Sequence, residues 1–250
     1  MDQKEIKKAA RIVVDSKLTL ALTGAGISVE SGIPDFRSPG GLWERYNPAE
    51  YGTIWAFRHD AAKVWKTIRE TSELVERAQP NPAHLGLAQL QRLGLLHTII
   101  TQNIDSLHQK AGATRVIEYH GSSRTLSCLA CGARYNAEAK KDEFPPRCAC
   151  AEILKPDVVF FGEAIPLEAL RESQLLASSC NALLVIGTSA EVAPANTIPR
   201  TAKLAGARII EINLKPTLLT SSFTDIFLQG KASSMMIRLV EEVQSLLGTP

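Results

Sequence analysis

Apolar and polar positions follow two rhythms along this chain. Short continuous apolar runs recur at 18–22, 97–101, 116–119, 182–186, 208–212 and 225–228. Runs this short, rich in Ile, Leu and Val and bounded by polar loops, predict strands buried on both faces, as in a parallel sheet. Between them the apolar residues fall at helical spacing. Ile6, Ala10, Val13 and Val14 predict a helix over 2–15, and Leu85, Leu87, Leu90 and Leu93 predict another over 83–93. A third helix is expected over 166–177. Met236, Leu239, Val240, Val243 and Leu247 predict a closing helix that Gly248 can cap. Strands alternating with helices predict an α/β fold, a parallel sheet of Rossmann type.

Two stretches depart from that alternation. Residues 42–78 read as short helices, with Trp55, Phe57, Val64, Trp65 and Ile68 facing a core. The segment 128–150 carries four of the five cysteines, and 153–161 is extended and apolar. The cysteines are spaced Cys128-x-x-Cys131 and, after sixteen residues, Cys148-x-Cys150. Four thiolates so grouped suit a closed tetrahedral zinc site that holds a small lobe together; four reduced thiols in a loop are the alternative. The fifth, Cys180, precedes a strand and reads as a small buried hydrophobe. The expected organisation is therefore a Rossmann-like domain from 1–37, 80–123 and 154–250. A helical insertion (38–79) and a zinc-ribbon insertion (124–153) form the smaller lobe.

Composition narrows the function classes. An apolar fraction of 45% over 250 residues indicates a globular protein. With 28 basic and 26 acidic residues, the chain offers no electrostatic case for a nucleic-acid or membrane partner. Met1-Asp2-Gln3-Lys4-Glu5 does not read as a signal peptide, and a cytoplasmic location is expected.

Candidate chemistry collects where the predicted strands end. Thr23-Gly24-Ala25-Gly26 follows the first strand; such a pair of glycines lets backbone N–H groups close on a phosphate, or simply makes a tight turn. Val29 stands where the usual dinucleotide fingerprint has its third glycine. Ile33-Pro34-Asp35-Phe36-Arg37 then places a carboxylate, an aromatic ring and a guanidinium beside the loop. Gln102-Asn103-Ile104-Asp105, His120-Gly121, Gly187-Thr188-Ser189 and Asn213 end the other strands. In an open α/β sheet those ends share one crevice. The groups suit a nucleotide and an acid–base step, and none of them indicates hydride transfer. His84, in the first turn of its helix, is read as structural.

Taken in order, the stretch 24–37, Thr101-Gln102-Asn103-Ile104-Asp105, Tyr119-His120-Gly121, the cysteine pairs, 155–163 and Gly187-Thr188-Ser189 carry a likeness. From about residue 8 onward the chain resembles the sirtuins, NAD-dependent protein deacylases. The resemblance implies that Gly24, Ala25 and Gly26 meet the cofactor phosphates, with Arg37 in the same loop. It implies that Ile33, Asp35 and Phe36 line the nicotinamide pocket with Gln102, Asn103, Ile104 and Asp105. Gly187, Thr188, Ser189, Asn213, Leu214, Lys215 and Ala232 would hold the adenosine half. Val159, Phe160, Phe161 and Gly162 would pair with an acyl-lysine peptide. Cys128, Cys131, Cys148 and Cys150 would hold one structural zinc.

In the implied reaction Asn103 and Asp105 orient the carboxamide, and His120 is the general base on a ribose hydroxyl. The products are nicotinamide, 2′-O-acyl-ADP-ribose and free lysine. Mono-ADP-ribosyl transfer from NAD is the alternative; a dehydrogenase and a non-enzymatic zinc-ribbon module are more distant rivals. The chain departs from the family's pattern at Ser106, where glycine is usual, and in the tight Cys148-x-Cys150 spacing. None of Tyr46, Tyr51, Tyr119 and Tyr135 is followed three residues on by Arg, the signature of acidic-acyl readers. Neutral acyl groups such as acetyl are therefore the expected substrates.

Overall fold

The computed structural model describes residues 3–248. The outermost residues of the expected 1–37 and 154–250 segments, and the first residue of the expected 2–15 helix, lie outside them. The chain opens with α1 (Gln3–Asp15) and β1 (Thr19–Thr23), then two 3₁₀ turns at Ala25–Ile27 and Val29–Ser31. Helices α2 (Leu42–Arg45), α3 (Pro48–Tyr51), α4 (Ile54–His59), α5 (Ala61–Arg77) and α6 (Pro82–Arg92) follow. Next come β2 (Thr98–Thr101), α7 (Leu107–Lys110), β3 (Val116–Glu118), β4 (Gly121–Ser127), β5 (Arg134–Asn136) and β6 (Lys155–Val158). The remainder is α8 (Leu167–Ala177), β7 (Ala182–Ile186), α9 (Thr197–Leu204), β8 (Arg208–Asn213), β9 (Ile226–Gln229) and α10 (Ala232–Leu247).

Six strands make one parallel sheet in the order β3-β2-β1-β7-β8-β9. Counted among themselves that order is 3-2-1-4-5-6, the doubly wound Rossmann arrangement expected from the alternation of runs. Every residue of β1 and β7 is buried, which is why both read as unbroken apolar runs. One face packs on α1, α6 and α10 through Ile6, Val13, Leu87, Leu90, Leu239 and Val243. The other carries α8 and α9 over Leu20, Leu22, Leu183, Val185 and Ile209. The order reverses between β1 and β7, and a doubly wound sheet takes its ligand at the carboxyl ends of such strands.

A second, antiparallel sheet has the order β5-β4-β6. It packs against the helical insertion through Phe57, Val64, Val158 and Phe160, and Trp65 Nε1 donates to the Leu154 carbonyl at 2.7 Å. The insertion's longest helix, α5, is a single element of 17 residues rather than a set of short ones. The Asp60 side chain caps it by accepting from Lys63 N. Trp55, expected to face a core, is 64% exposed; its ring instead covers Gly162, where an added Cβ would lie 2.3 Å from the indole. Leu85 and Leu93 lie on the exposed side of α6. Strands β4 and β5 and helix α9 were not expected. β4 reads Gly-Ser-Ser-Arg-Thr-Leu-Ser and buries only Leu126, so it shows no apolar run. Gly248 closes α10 in the left-handed conformation (φ 67°), as its position predicts. Among the described residues no helix is long and apolar enough to cross a membrane.

Candidate active site

The crevice is built by two loops that touch more closely than side chains would allow. After β1 the chain turns so that Gly24 N donates to the Ile186 carbonyl (3.1 Å) and Gly26 N to the Gly187 carbonyl (2.8 Å). A Cβ on Gly24 would sit 2.8 Å from Thr188 Cβ, and one on Gly26 2.8 Å from Gly187 Cα. Gly187 itself has φ 61°, and its missing Cβ would lie 2.3 Å from Ile27 N. Both glycines of the pair are therefore required by the approach of the β7 loop. The N–H groups of Gly24 and Gly26 are engaged there, whereas Ala25 N between them has no protein partner among the described residues.

The β2 end joins the same assembly. Gln102 N donates to the Thr23 carbonyl (3.0 Å), and Gln102 Nε2 to Thr188 Oγ1 (3.0 Å). Asn103 Nδ2 donates to the Gly24 carbonyl (3.2 Å) and to Ser28 Oγ (3.1 Å). Ser28 Oγ in turn donates to Asp105 Oδ2 at 2.6 Å, and Leu107 N donates to Asp105 Oδ1 at 2.9 Å. Asp105 is buried at 6% exposure, so these bonds replace its water. Ser106, the departure at a glycine position, adopts φ 59°. A side chain there costs about 1–2 kcal/mol in backbone strain. Arg124 partly offsets it by donating to Ser106 Oγ at 2.8 Å.

His84 has both roles of a cap and of a site neighbour. Its Nδ1 accepts from Asn81 N at 3.3 Å, completing a capping box as a structural histidine would. That leaves Nε2–H to face Ser28 Oγ at 3.4 Å. Behind it, at 4.9 Å between ring centroids, His108 donates from Nε2 to Thr23 Oγ1 (2.9 Å), whose hydroxyl donates to Thr101 Oγ1. Ser28 and His84 are the residues that sequence reasoning did not assign to the site. The signal was present, in a serine two residues past the glycine pair and an Asn-Pro cap.

His120 follows β3, and its Nδ1–H donates to the Gln102 carbonyl at 3.0 Å. A carbonyl only accepts, so in the neutral ring the proton is on Nδ1 and Nε2 keeps its lone pair. Burial lowers its pKa below the ordinary histidine value, more than the carbonyl bond raises it. The ring is therefore neutral at pH 7. Gly121 (φ 76°) lets the chain pass 2.1 Å from Asp157 O at the would-be Cβ, which seats β4 against β6 directly after the imidazole.

The remaining expected residues distribute around this centre. Asp35 accepts from Arg37 N, Ser38 N and Ser38 Oγ, so it shapes its own turn. Phe36 is 43% exposed and stacks on Trp43 with centroids 5.1 Å apart. Arg37 reaches across the crevice to Ser189 Oγ (2.9 Å) and Glu191 (3.1 Å). Asn213 Nδ2 donates to the Thr188 carbonyl at 2.9 Å, Leu214 is exposed, and Ala232 begins α10. Ile33 is half-buried, and Ile104 and Lys215 are exposed, beside the same strand ends. Val159 N donates to the His120 carbonyl at 2.8 Å, and Phe161 N to the Gly52 carbonyl at 2.8 Å.

The four clustered cysteines converge. Their sulfurs lie within 4.8 Å of one another, with Cys128–Cys150 and Cys131–Cys148 both at 3.5 Å and Cys131–Cys150 at 3.7 Å. These are too long for disulfides. Tetrahedral zinc with sulfur at ~2.3 Å sets its ligands about 3.8 Å apart, so the cluster fits one structural zinc. The short Cys148-x-Cys150 spacing is compatible with that geometry. Cys180 is buried, as expected.

This is a Rossmann-type α/β protein with a polar crevice at its topological switch point and a four-thiolate ribbon beside it. The profile of the Sir2 family matches residues 24–194. The NAD-dependent protein deacylase 2 of Pyrobaculum aerophilum is 47% identical over 241 residues, covering 96% of each chain. A triple mutant of a Sir2 homologue in complex with 2′-O-acetyl ADP-ribose has 43% identity and a TM-score of 0.90, covering 99% of this chain and 98% of that one. Sir2Af2 bound to a myristoylated histone peptide has 37% identity and a TM-score of 0.85, with 99% of both chains covered. The chain belongs to the Sir2 family, the sirtuins.

Two outcomes follow from the site. Burial lowers the pKa of His84 to about 4 and of His108 to about 3. The unfolded chain, with histidine near 6.5, then binds more protons between those values, so stability is full above pH 6.5 and is lost as pH falls toward 4. Urea midpoints should decline over that window, and His108→Gln, which keeps a donor toward Thr23, should flatten the decline. Purified protein should contain one zinc per chain by elemental analysis. Cys131→Ser should lose it and lower the melting temperature, because ligand binding and folding of the ribbon are coupled.

Proposed function

We propose that this sirtuin removes acyl groups from protein lysines with NAD as co-substrate, giving nicotinamide, 2′-O-acyl-ADP-ribose and free lysine. The carrying observation is the neutral His120, its Nε2 lone pair unengaged among the described residues, beside the strand ends where the β1, β2 and β7 loops interlock. NAD supplies the activated nicotinamide–ribose bond and the ribose that accepts the acyl group. Gly24, Ala25, Gly26 and Arg37 take its phosphates, the unpartnered Ala25 N–H supporting this. Ile33, Asp35, Phe36, Gln102, Asn103, Ile104 and Asp105 enclose the nicotinamide end, with the Ser28–Asp105 bond fixing the carboxylate. Gly187, Thr188, Ser189, Asn213, Leu214, Lys215 and Ala232 hold the adenosine half. Phe36, exposed and backed by Trp43, covers the reacting face against water. His120 takes a ribose hydroxyl proton at Nε2.

The acyl-lysine peptide adds along 159–162. Among the described residues the Val159 carbonyl and both backbone groups of Gly162 have no protein partner, which supports strand pairing there. The same reading divides the chain into the NAD-binding domain (1–37, 80–123, 154–250) and the two insertions of the small lobe. It places the protein in the cytoplasm, where thiols persist as metal ligands, and gives it protein partners in preference to nucleic acid or membrane.

Mixing the protein with NAD and an acetyl-lysine peptide and weighing the products tests this. Deacetylated peptide with O-acetyl-ADP-ribose is expected; ADP-ribosylated protein would favour the transferase instead. His120→Ala should lower turnover roughly 10²- to 10⁴-fold. A succinylated peptide should be turned over more slowly than the acetylated one, and equal turnover would contradict the neutral-acyl assignment.

A further inference from the structure

Lys155 is a buried lysine, 6% exposed, directly before the strand assigned to the substrate. Its ammonium donates to the Pro156 carbonyl at 3.0 Å and to the Val158 carbonyl at 2.8 Å, and it pairs with Glu163 Oε2 at 2.9 Å. Three partners match its three protons. The same Glu163 oxygen accepts from Phe160 N at 2.9 Å, and Nζ lies 4.8 Å from the centre of the Phe160 ring. One ion pair thus ties both ends of 155–163 together from beneath. Burying two charges is unfavourable unless every donor is met, and a packed apolar pair is often as stable. What an apolar pair could not do is tie the Pro156 and Val158 carbonyls of β6 to the turn from Phe160 to Glu163.

The consequence lies in which groups are left over. Val159 N, Phe160 N and Phe161 N are all engaged, by His120, Glu163 and Gly52 respectively. The groups at Val159 and Gly162 that face no partner do so because Lys155 and Glu163 fix the intervening Phe160. We propose that Lys155 and Glu163 are positioning residues for the acyl-lysine strand: they preorganise 159–162 so that the peptide pairs without first ordering it. This rests on the assignment of 159–162 to the substrate. Preorganisation of this kind acts on substrate binding. It leaves the NAD loops, which among the described residues share no hydrogen bond with Lys155 or Glu163, unaffected.

Steady-state kinetics with NAD and acetyl-lysine peptide varied separately test the proposal, on the wild type, Lys155→Met, Lys155→Arg and Glu163→Gln. Calorimetric titration of the peptide accompanies each. Lys155→Met should raise the peptide KM about tenfold or more and weaken peptide binding in parallel, with the NAD KM within about twofold of wild type. Lys155→Arg should recover part of the loss, because it keeps the charge but not the three diverging donors. Should Lys155→Met fail to fold by thermal melting, Glu163→Gln carries the test. Its amide oxygen still accepts from Phe160 N, and a rise of about threefold in the peptide KM alone is expected. Unchanged peptide KM and affinity in a folded variant, or a parallel rise in the NAD KM, overturns the proposal. A wild type that turns over peptide while the variants do not differ from it overturns this inference alone. A wild type that neither binds nor deacylates the peptide overturns the substrate assignment, and this inference with it.

Discussion

The contact between the loop after β1 and the loop after β7 is the constraint on which the rest of the site depends. Gly24 and Gly26 lie against Gly187 and Thr188 at distances that no Cβ could share. That approach brings two strand ends together at the point where the sheet reverses its order, and a doubly wound sheet offers its ligand crevice there. Once it is made, Gln102 and Asn213 can both bond Thr188, and Asn103 can reach the Gly24 carbonyl. Four strand ends, those of β1, β2, β7 and β8, are thereby held by one another before any ligand arrives.

Behind this contact a line of polar side chains sets protonation states. The Asn81 backbone fixes His84 with its proton on Nε2, the Ser28 hydroxyl donates a hydrogen bond to Asp105, and the Gln102 carbonyl fixes His120 with its proton on Nδ1. Burial keeps each of these imidazoles neutral. A neutral ring near a cofactor loop can accept a proton, which a charged one cannot. The small lobe serves the same end from outside. It carries the four clustered cysteines and, through the Gly52 carbonyl that accepts from Phe161 N, helps to seat 159–162.

Much of this was readable in the residues because the physics behind it is local. Buried parallel strands must be continuous apolar runs, so β1, β7 and β8 declared themselves with ends shifted by at most one residue. Four clustered cysteines pointed to a metal, and their sulfurs converge. What could not be read depends on approach through space. The glycine pair reads as a phosphate cradle or a tight turn, and nothing local shows that Gly24 and Gly26 are also required by the β7 loop, more than 150 residues away. β4 is stabilised by pairing with β5 and β6 rather than by apolar burial, so its polar sequence gave no strand signal. Trp55 covers a glycine that only the fold brings beneath it. His84 announced its cap but not its second nitrogen's contact with Ser28.

The proposed NAD site stands or falls with the interlocked glycine loops. Calorimetric titration of NAD into the wild type and into Gly26→Ala tests it most directly. The added methyl must displace the Gly187 backbone, 2.8 Å away. One NAD site per wild-type chain is expected, with binding at least about tenfold weaker in a folded Gly26→Ala protein. Equal affinity in the two folded proteins would contradict it.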